Sequence, residues 1–368
     1  QPRCWAGGEC GHGGDQSLRT GFCAPPAVAP LPPAAVVRQA GASVPIGGRL
    51  RFYVVGSSNA AWQNWPDQLH AMLRRLGYDV TLPRTEIPGE ATGPVGRLTP
   101  KCADAPAYDG LDTPRVGMQG WSSWGFAYDS TADCDADGFR TIAGWRVSCT
   151  NGWACNERFR GDVPLVPASA IARGVRGADV VVLANFVNDG RTAQYTPRPC
   201  FGQGSVPSIM DTTNITAVSL RRTIRAIHAE DPGVVVLVLA RYAGVREVLY
   251  VNEGGVPQAD AINAAVRDQL ADEPNTHFVD VRFPVETSMF QTLNYGHANC
   301  RGDKVIASSV VGAMFQHKVL ERGMAFGDSE RCLGNSDCAS LGPACCQRSA
   351  LCHIDFRGAC APYGPGRQ

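Results

Sequence analysis

The sequence predicts an α/β protein. Its core is a doubly wound, flavodoxin-like parallel sheet of five strands with helices on both faces, joined to disulfide-rich terminal modules. Three observations carry this. Strand-like and helix-like patterns alternate from about residue 46 to residue 322. Two strand candidates, ADVVVLANF at 178–186 and GVVVLVLARY at 233–242, are nearly continuous apolar runs, as in parallel strands covered on both faces. Cysteines crowd the ends: of 15 in the chain, three fall in the first 23 residues and six in the last 37.

The elements follow in order. RLRFYVV (49–55) reads as a buried strand that ends at Gly56. NAAWQNWPDQLHAMLRRLG (59–77) has the apolar spacing of an amphipathic helix, which Gly77 stops. YDVTLP (78–83) is the second strand, and 178–186 and 233–242 are the third and fourth. The spacing predicts a helix over 214–231, broken by Pro232-Gly233, and another over 258–273. THFVDVR (276–282) is the fifth strand and 300–321 the closing helix. Such alternation puts the site at the carboxyl ends of the strands. Segments 84–115 and 124–170 do not fit the repeat. They are loop-rich insertions containing Cys102, Cys134, Cys149 and Cys155, and loops of that length are usually functional or pinned by disulfides.

Composition divides the chain into a Cys-rich segment at 1–23, a Pro-rich linker at 24–45, the α/β domain at 46–322 and a Cys-rich module at 328–368. The linker string APPAVAPLPPAAV predicts a stiff, extended connection. The ends resemble each other: RCWAGGEC (3–10) matches RCLGNSDC (331–338), and TGFCAP (20–25) matches RGACAP (357–362). This reads as a partial duplication. The last six cysteines resemble small cystine-knot modules of the knottin type, a class that needs staples because about 30 residues bury too little core. Such a module implies protease resistance, partner docking or carbohydrate attachment, or it is only a stabilised tail.

Basic and acidic residues balance at 34 each, for a formal net charge of zero. That removes the electrostatic case for nucleic acid or an anionic membrane as partner. The longest aliphatic run, GVVVLVLA at 233–240, falls well short of the roughly 20 apolar residues of a membrane span. No CxxC pair or Cys/His cluster has zinc spacing, so the cysteines read as disulfides made in an oxidising, extracellular compartment. Asn214 opens an N-glycosylation sequon, NIT. A start at Gln1 fits a mature secreted chain from which a signal peptide has been removed. An odd cysteine count leaves one thiol free or paired with another chain.

Gly56-Ser57-Ser58-Asn59 occupies the position where such a sheet presents a nucleophile, after the first strand and before the first helix. Alone, it describes a turn and an N-cap. Further blocks change its meaning. VGMQGWSS (116–123) puts Gly117 and Gly120 in a turn after the second strand. NFVNDGR (185–191) puts Asn188 and Asp189 beyond the third, and NYGHANCRGDKVIA (294–307) puts His297 before the last helix. Ser, Gly, Asn and His thus arrive in that order at one sheet edge.

Over roughly 49–320 the chain resembles the SGNH (GDSL-like) hydrolases, a family of esterases and lipases. The resemblance implies Ser58 as nucleophile and His297 as general base. It also implies an oxyanion hole formed by the backbone N–H groups of Ser58 and Gly120 and the side-chain amide of Asn188. No metal and no organic cofactor is implied.

Three positions depart from the family pattern. Ser57 replaces an Asp before the nucleophile. Phe186 replaces a Gly two residues before Asn188, which predicts a reshaped or narrowed acyl pocket. Asn294 replaces the Asp that supports the histidine; an amide holds an imidazole but does not offset its positive charge, and in serine-protease triads that exchange costs about 10⁴ in rate. Asp280, at the end of a strand, is a candidate replacement acid. The literal GDS at 327–329 follows the histidine block with no strand before it and is not expected to be catalytic. His70, His228 and His317 fall in helices and read as packing or surface residues. Trp121, Trp124, Phe126 and Tyr128 read first as packing, with sugar stacking as the functional alternative.

The expected function is a secreted serine esterase acting on O-acyl esters, with an O-acetylated carbohydrate as the substrate class and Cys-rich modules that tether it to extracellular matrix or cell wall. The alternative is a catalytically degenerate member of the same fold, serving as a structural or binding component of an extracellular assembly. A lipase is disfavoured by net neutrality and by the lack of a lysine-rich amphipathic surface helix.

Overall fold

A computed structural model describes residues 43–61, 63–81, 115–118, 122–128, 134–149, 168–184, 186, 189, 201–202, 207–241, 258–281, 290–291, 294–321, 344–346 and 352–354. The long first strand β1 (Arg49–Ser57) lies inside a wholly parallel sheet. On one side it pairs with β6 (Val180–Ala184), followed by β7 (Val235–Leu239) and β8 (Thr276–Val279). On its other side two short strands succeed each other along the same edge. β2 (Asp79–Thr81) pairs with the start of β1, and β3 (Arg115–Met118) with its end. The doubly wound expectation holds: five strand positions in the order 2-1-3-4-5, with the second shared by two segments. Gly117 lies in β3 rather than in a turn, because residues 115–118 extend the parallel pairing of β1 up to Ser57.

Alternate side chains of β1, β6 and β7 face two cores. On one face α2 (Trp65–Arg75) and α7 (Cys300–Gln316) cover Phe52, Val54, Val182 and Leu237. On the other, α4 (Ala168–Gly174), α5 (Ile209–Glu230) and α6 (Gln258–Gln269) cover Tyr53, Val55, Val181 and Val236. The apolar runs were therefore informative because both faces are buried.

The helix expected over 59–77 is two helices: α1 (Ser58–Ala61) and α2. Pro66 has no N–H and is accommodated only in a first turn, so the chain restarts there. Gly77, at φ +87°, ends α2 as expected. α5 begins earlier than its apolar spacing suggests, because Ser208 and Asp211 form a reciprocal capping box.

α3 (Ser123–Phe126) leads into the 124–170 insertion, which contains an antiparallel hairpin, β4 (Phe139–Ile142) with β5 (Trp145–Ser148), closed by a Cys134–Cys149 disulfide. Its Trp124, Tyr128, Ile142 and Val147 form an apolar cluster with Phe201 and Ile215 of α5. The first reading of these aromatics holds for three of them: Trp124 and Tyr128 are packed in this cluster, and Phe126 is buried in the α5 face core. Trp121 lies outside the described residues.

Between β8 and α7 the chain makes a small antiparallel pair, β9 (Phe290–Gln291) and β10 (Asn294–Ala298). Near the end of the chain β11 (Ala344–Cys346) pairs antiparallel with β12 (Cys352–Ile354). Among the described residues no helix is long and apolar enough to cross a membrane. The N-terminal Cys-rich segment, the linker up to residue 42, the segment 84–114 and the GDS at 327–329 lie outside the described residues.

Candidate active site

β1 delivers its last residues to the point where the strand order reverses, the switch between β1 and β6 at which ligands bind in sheets of this kind. In register, Gly56 lies beside Gly117 of β3 and Ala184 of β6. This row of minimal side chains leaves room for α1 to sit directly on the strand ends. A Cβ on Gly56 would come within 2.7 Å of the Ala60 Cβ and 2.8 Å of the Ala184 carbonyl oxygen, so the turn requires glycine for close approach.

Ser58 is the first residue of α1 and follows β1 without a break; its side chain lies outside the described residues. Its neighbours have local duties. Buried Ser57 donates through Oγ to Asn59 Oδ1 at 2.9 Å, and the Asn59 carbonyl accepts from Trp65 Nε1 at 2.8 Å. These bonds pin α1 to the start of α2. Ser57, where the family has Asp, shapes the turn.

His297 is buried at 6 % exposure near the end of β10, three residues before α7. Asn294 opens the same strand opposite Gln291, and its side chain lies outside the described residues. Asn299 accepts through Oδ1 from the Gly302 N–H at 3.2 Å, a local cap that starts α7. Two bonds between residues distant in sequence tie this corner to the Ser58 segment. Asp303 Oδ2 accepts from the Asn64 N–H at 2.9 Å, and Gln68 Nε2 donates to the Cys300 carbonyl at 3.1 Å. Cys300 is also disulfide-bonded.

Gly120 and Asn188, the expected oxyanion donors, lie outside the described residues. Asp189, next to Asn188, does not. It is wholly buried and collects three hydrogen bonds: Ser123 N–H to Oδ1 at 2.9 Å, Ser123 Oγ to Oδ2 at 2.5 Å and Thr216 Oγ1 to Oδ2 at 2.6 Å. One carboxylate therefore joins the segment after β3, the segment after β6 and helix α5. Burial pushes its pKa up to about 6, against the opposing pull of the three donors and the Arg241 charge. Arg241, beyond β7, is itself buried, and Asn263 of α6 brackets its backbone with bonds of 2.9 and 2.8 Å.

One expectation is corrected by packing. Phe186 does not narrow a pocket: it is fully buried in the core beneath α5 and α6, 6.2 Å from Phe278. Asp280 is exposed and ion-pairs with Arg267 of α6 at 3.7 Å. The sequence reading missed Asp303, Ser123 and Thr216 as supports. The signal available for Asp303 was an acidic residue in the first turn of an otherwise apolar helix. Asn214 sits within α5, half-buried, with Oδ1 accepting from Gln269 Nε2 at 2.9 Å. Among the described residues no group of three or more His, Cys, Asp or Glu is arranged to hold a metal ion.

No family model matches the chain, and no curated protein matches it. Solved structures similar to it include an acetyl esterase mutant with acetate ion, at 13 % identity and TM-score 0.43, covering 73 % of this chain and 98 % of that one. A carbohydrate esterase family 3 structure from Talaromyces cellulolyticus is similar at 14 % identity and TM-score 0.42, covering 73 % and 98 %. A putative GDSL-like lipase from Parabacteroides merdae is similar at 12 % identity and TM-score 0.39, covering 75 % and 98 %.

Proposed function

We propose that the chain is a secreted SGNH-type serine esterase that hydrolyses O-acyl esters, with O-acetylated carbohydrate as the substrate class. The observation that carries this reading is the carboxyl edge of the sheet. Ser58 directly follows β1, and the Gly120 and Asn188 segments follow the strands that flank it. The His297 corner is hydrogen-bonded to the segment just after Ser58.

In this mechanism Ser58 Oγ attacks the ester carbonyl while His297 takes its proton. The tetrahedral oxyanion is held by the Ser58 and Gly120 N–H groups and the Asn188 amide, each such donor contributing about 3–4 kcal/mol. The C–O bond to the sugar then breaks, the imidazolium protonates the departing alkoxide, and an acyl-Ser58 ester remains. Water, deprotonated by His297, attacks the acyl carbon; the bond to Ser58 Oγ breaks, the imidazolium returns the proton to Ser58, and the carboxylic acid leaves. The disulfide Cys134–Cys149 supports an oxidising compartment, in which a glycan on Asn214 and attachment through the Cys-rich modules belong to the same proposal.

The second reading is the degenerate, binding form of the fold, favoured by Asn294 at the family's acid position. Hydrolysis of p-nitrophenyl acetate and labelling by a fluorophosphonate separate the two. The esterase reading expects wild-type labelling at Ser58 and loss of at least about 10³ in kcat in Ser58→Ala. Equal rates in wild type and variant, with no label on Ser58, support the binding form.

A further inference from the structure

Helix α2 does not supply its own amino-terminal cap. Asn64, in the N-cap position at φ −92° and ψ 0°, makes no side-chain capping bond, and Pro66 has no N–H. A group 239 positions away in sequence reaches this end: Asp303, fully buried, accepts the Asn64 N–H at 2.9 Å. Asp303 also stands in the first turn of α7. Its carboxylate therefore faces the amino ends of two helices, where orphan N–H groups and both macrodipoles favour a negative charge. That double placement favours a carboxylate at zero exposure.

The bond has a symmetric place in the chain. Asn64 lies six residues after Ser58, and Asp303 lies six residues after His297. Each link is short and fixed: α1 and the Trp65–Asn59 bond on one side, and the Asn299 cap on the other. We propose that Asp303 is the positioning residue that sets the separation and mutual orientation of Ser58 and His297. The proposal rests on the esterase reading above. Asn294 makes the clamp more important, since the family's carboxylate support for the histidine is replaced by an amide. A misplacement of about 1 Å between reacting groups costs on the order of 10² in rate.

The test compares Asp303→Ala, Asp303→Asn and Asn64→Pro, the last removing the donor instead of the acceptor. Asp303→Ala is expected to lower kcat for p-nitrophenyl acetate by about 30- to 100-fold with KM within about 2-fold, because bound geometry rather than substrate affinity changes. Asp303→Asn keeps an acceptor oxygen and is expected to stay within about 5-fold of wild type. Asn64→Pro should reproduce the loss of Asp303→Ala, and the double variant should lose no more than either single one. A folded Asp303→Ala with wild-type kcat overturns the proposal, as does an Asp303→Asn that falls as far as Ala. If Asp303→Ala does not fold, Asn64→Pro decides on the same criteria.

An arm independent of activity follows the amide exchange of Asn64 and the ring NMR signals of His297. Faster Asn64 exchange together with a shifted His297 ring in Asp303→Ala supports the clamp; an unchanged His297 ring overturns it. Absence of Ser58 labelling in the wild type would sink the esterase reading, and this second arm would still decide whether the clamp holds.

Discussion

Asp189 and Asp303 are both shut off from solvent at the carboxyl edge of the sheet, yet they are held by different kinds of donor. Asp189 is met by one amide and two hydroxyls. Asp303 is met by the Asn64 amide at the start of a neighbouring helix, inside the first turn of its own. A hydroxyl both donates and accepts, so Ser123 and Thr216 can rotate to serve a protonated acid. The Asn64 backbone amide only donates, so it requires an acceptor oxygen on residue 303. Asp189 is compatible with gaining a proton in mild acid, and Asp303 caps a neighbouring helix. Between them they join the pieces of the candidate site: Asp303 the serine and histidine segments, Asp189 the two segments expected to form the oxyanion hole.

The largest effect expected from breaking this contrast is at Asp189. Asp189→Leu would leave the Ser123 amide and two hydroxyls buried without their acceptor, a loss of about 3–5 kcal/mol by analogy with breaking a buried polar cluster. Asp189→Asn keeps one acceptor oxygen, and the two hydroxyls can accept from its amide, so about 1–2 kcal/mol is expected. Urea denaturation read by tryptophan fluorescence gives both numbers. Equal losses in the two variants would show that the hydroxyls do not reorient.

Much of this architecture was legible in the sequence because it is periodic or local. The runs at 178–186 and 233–242 announced buried parallel strands, and Gly77 announced the end of α2. The Gly56 turn was recognisable, although its reason, the 2.7 Å approach of Ala60, is a tertiary fact. What was hidden depends on distant partners. Nothing near Asp303 in sequence indicates that it caps a helix 239 residues away. Phe186 looked like an obstruction at a site because its packing neighbour Phe278 is 92 positions further along. The ion pair of Asp280 with Arg267 at 3.7 Å is likewise a tertiary fact.

The contrast is sharpened by pH. The folded pKa of Asp189, about 6, lies above its ordinary value of 3.8 because burial disfavours the carboxylate. Its contribution is therefore fully present below about pH 3.8 and is lost as pH rises through about 6, an amount on the order of 3 kcal/mol. Asp189→Asn removes this titration. The difference in stability between wild type and Asp189→Asn should therefore shrink steadily in the wild type's disfavour from pH 4 to pH 7. A difference that stays flat over that range would mean that the aspartate titrates like an exposed one.

The smallest effect expected comes from a pair that lies away from these segments and has the opposite sign. His277 of β8 and His317, just beyond α7, stack with ring centroids 3.6 Å apart. Burial, reinforced by the neighbouring His317, lowers His277 to about 4, and burial lowers His317 as well. A histidine held neutral in the fold contributes stability that is complete above its unfolded value of about 6.5 and is lost as pH falls through about 4. Both rings are partly open to solvent, so screening reduces the effect to roughly 1 kcal/mol, or a few degrees in Tm between pH 7 and pH 5. His317→Ala should flatten that part of the Tm profile while leaving the pH dependence of Asp189 intact. If instead it also changes the pH profile of ester hydrolysis, the far end of α7 communicates with its beginning, and the Asp303 clamp is where that coupling would reach His297.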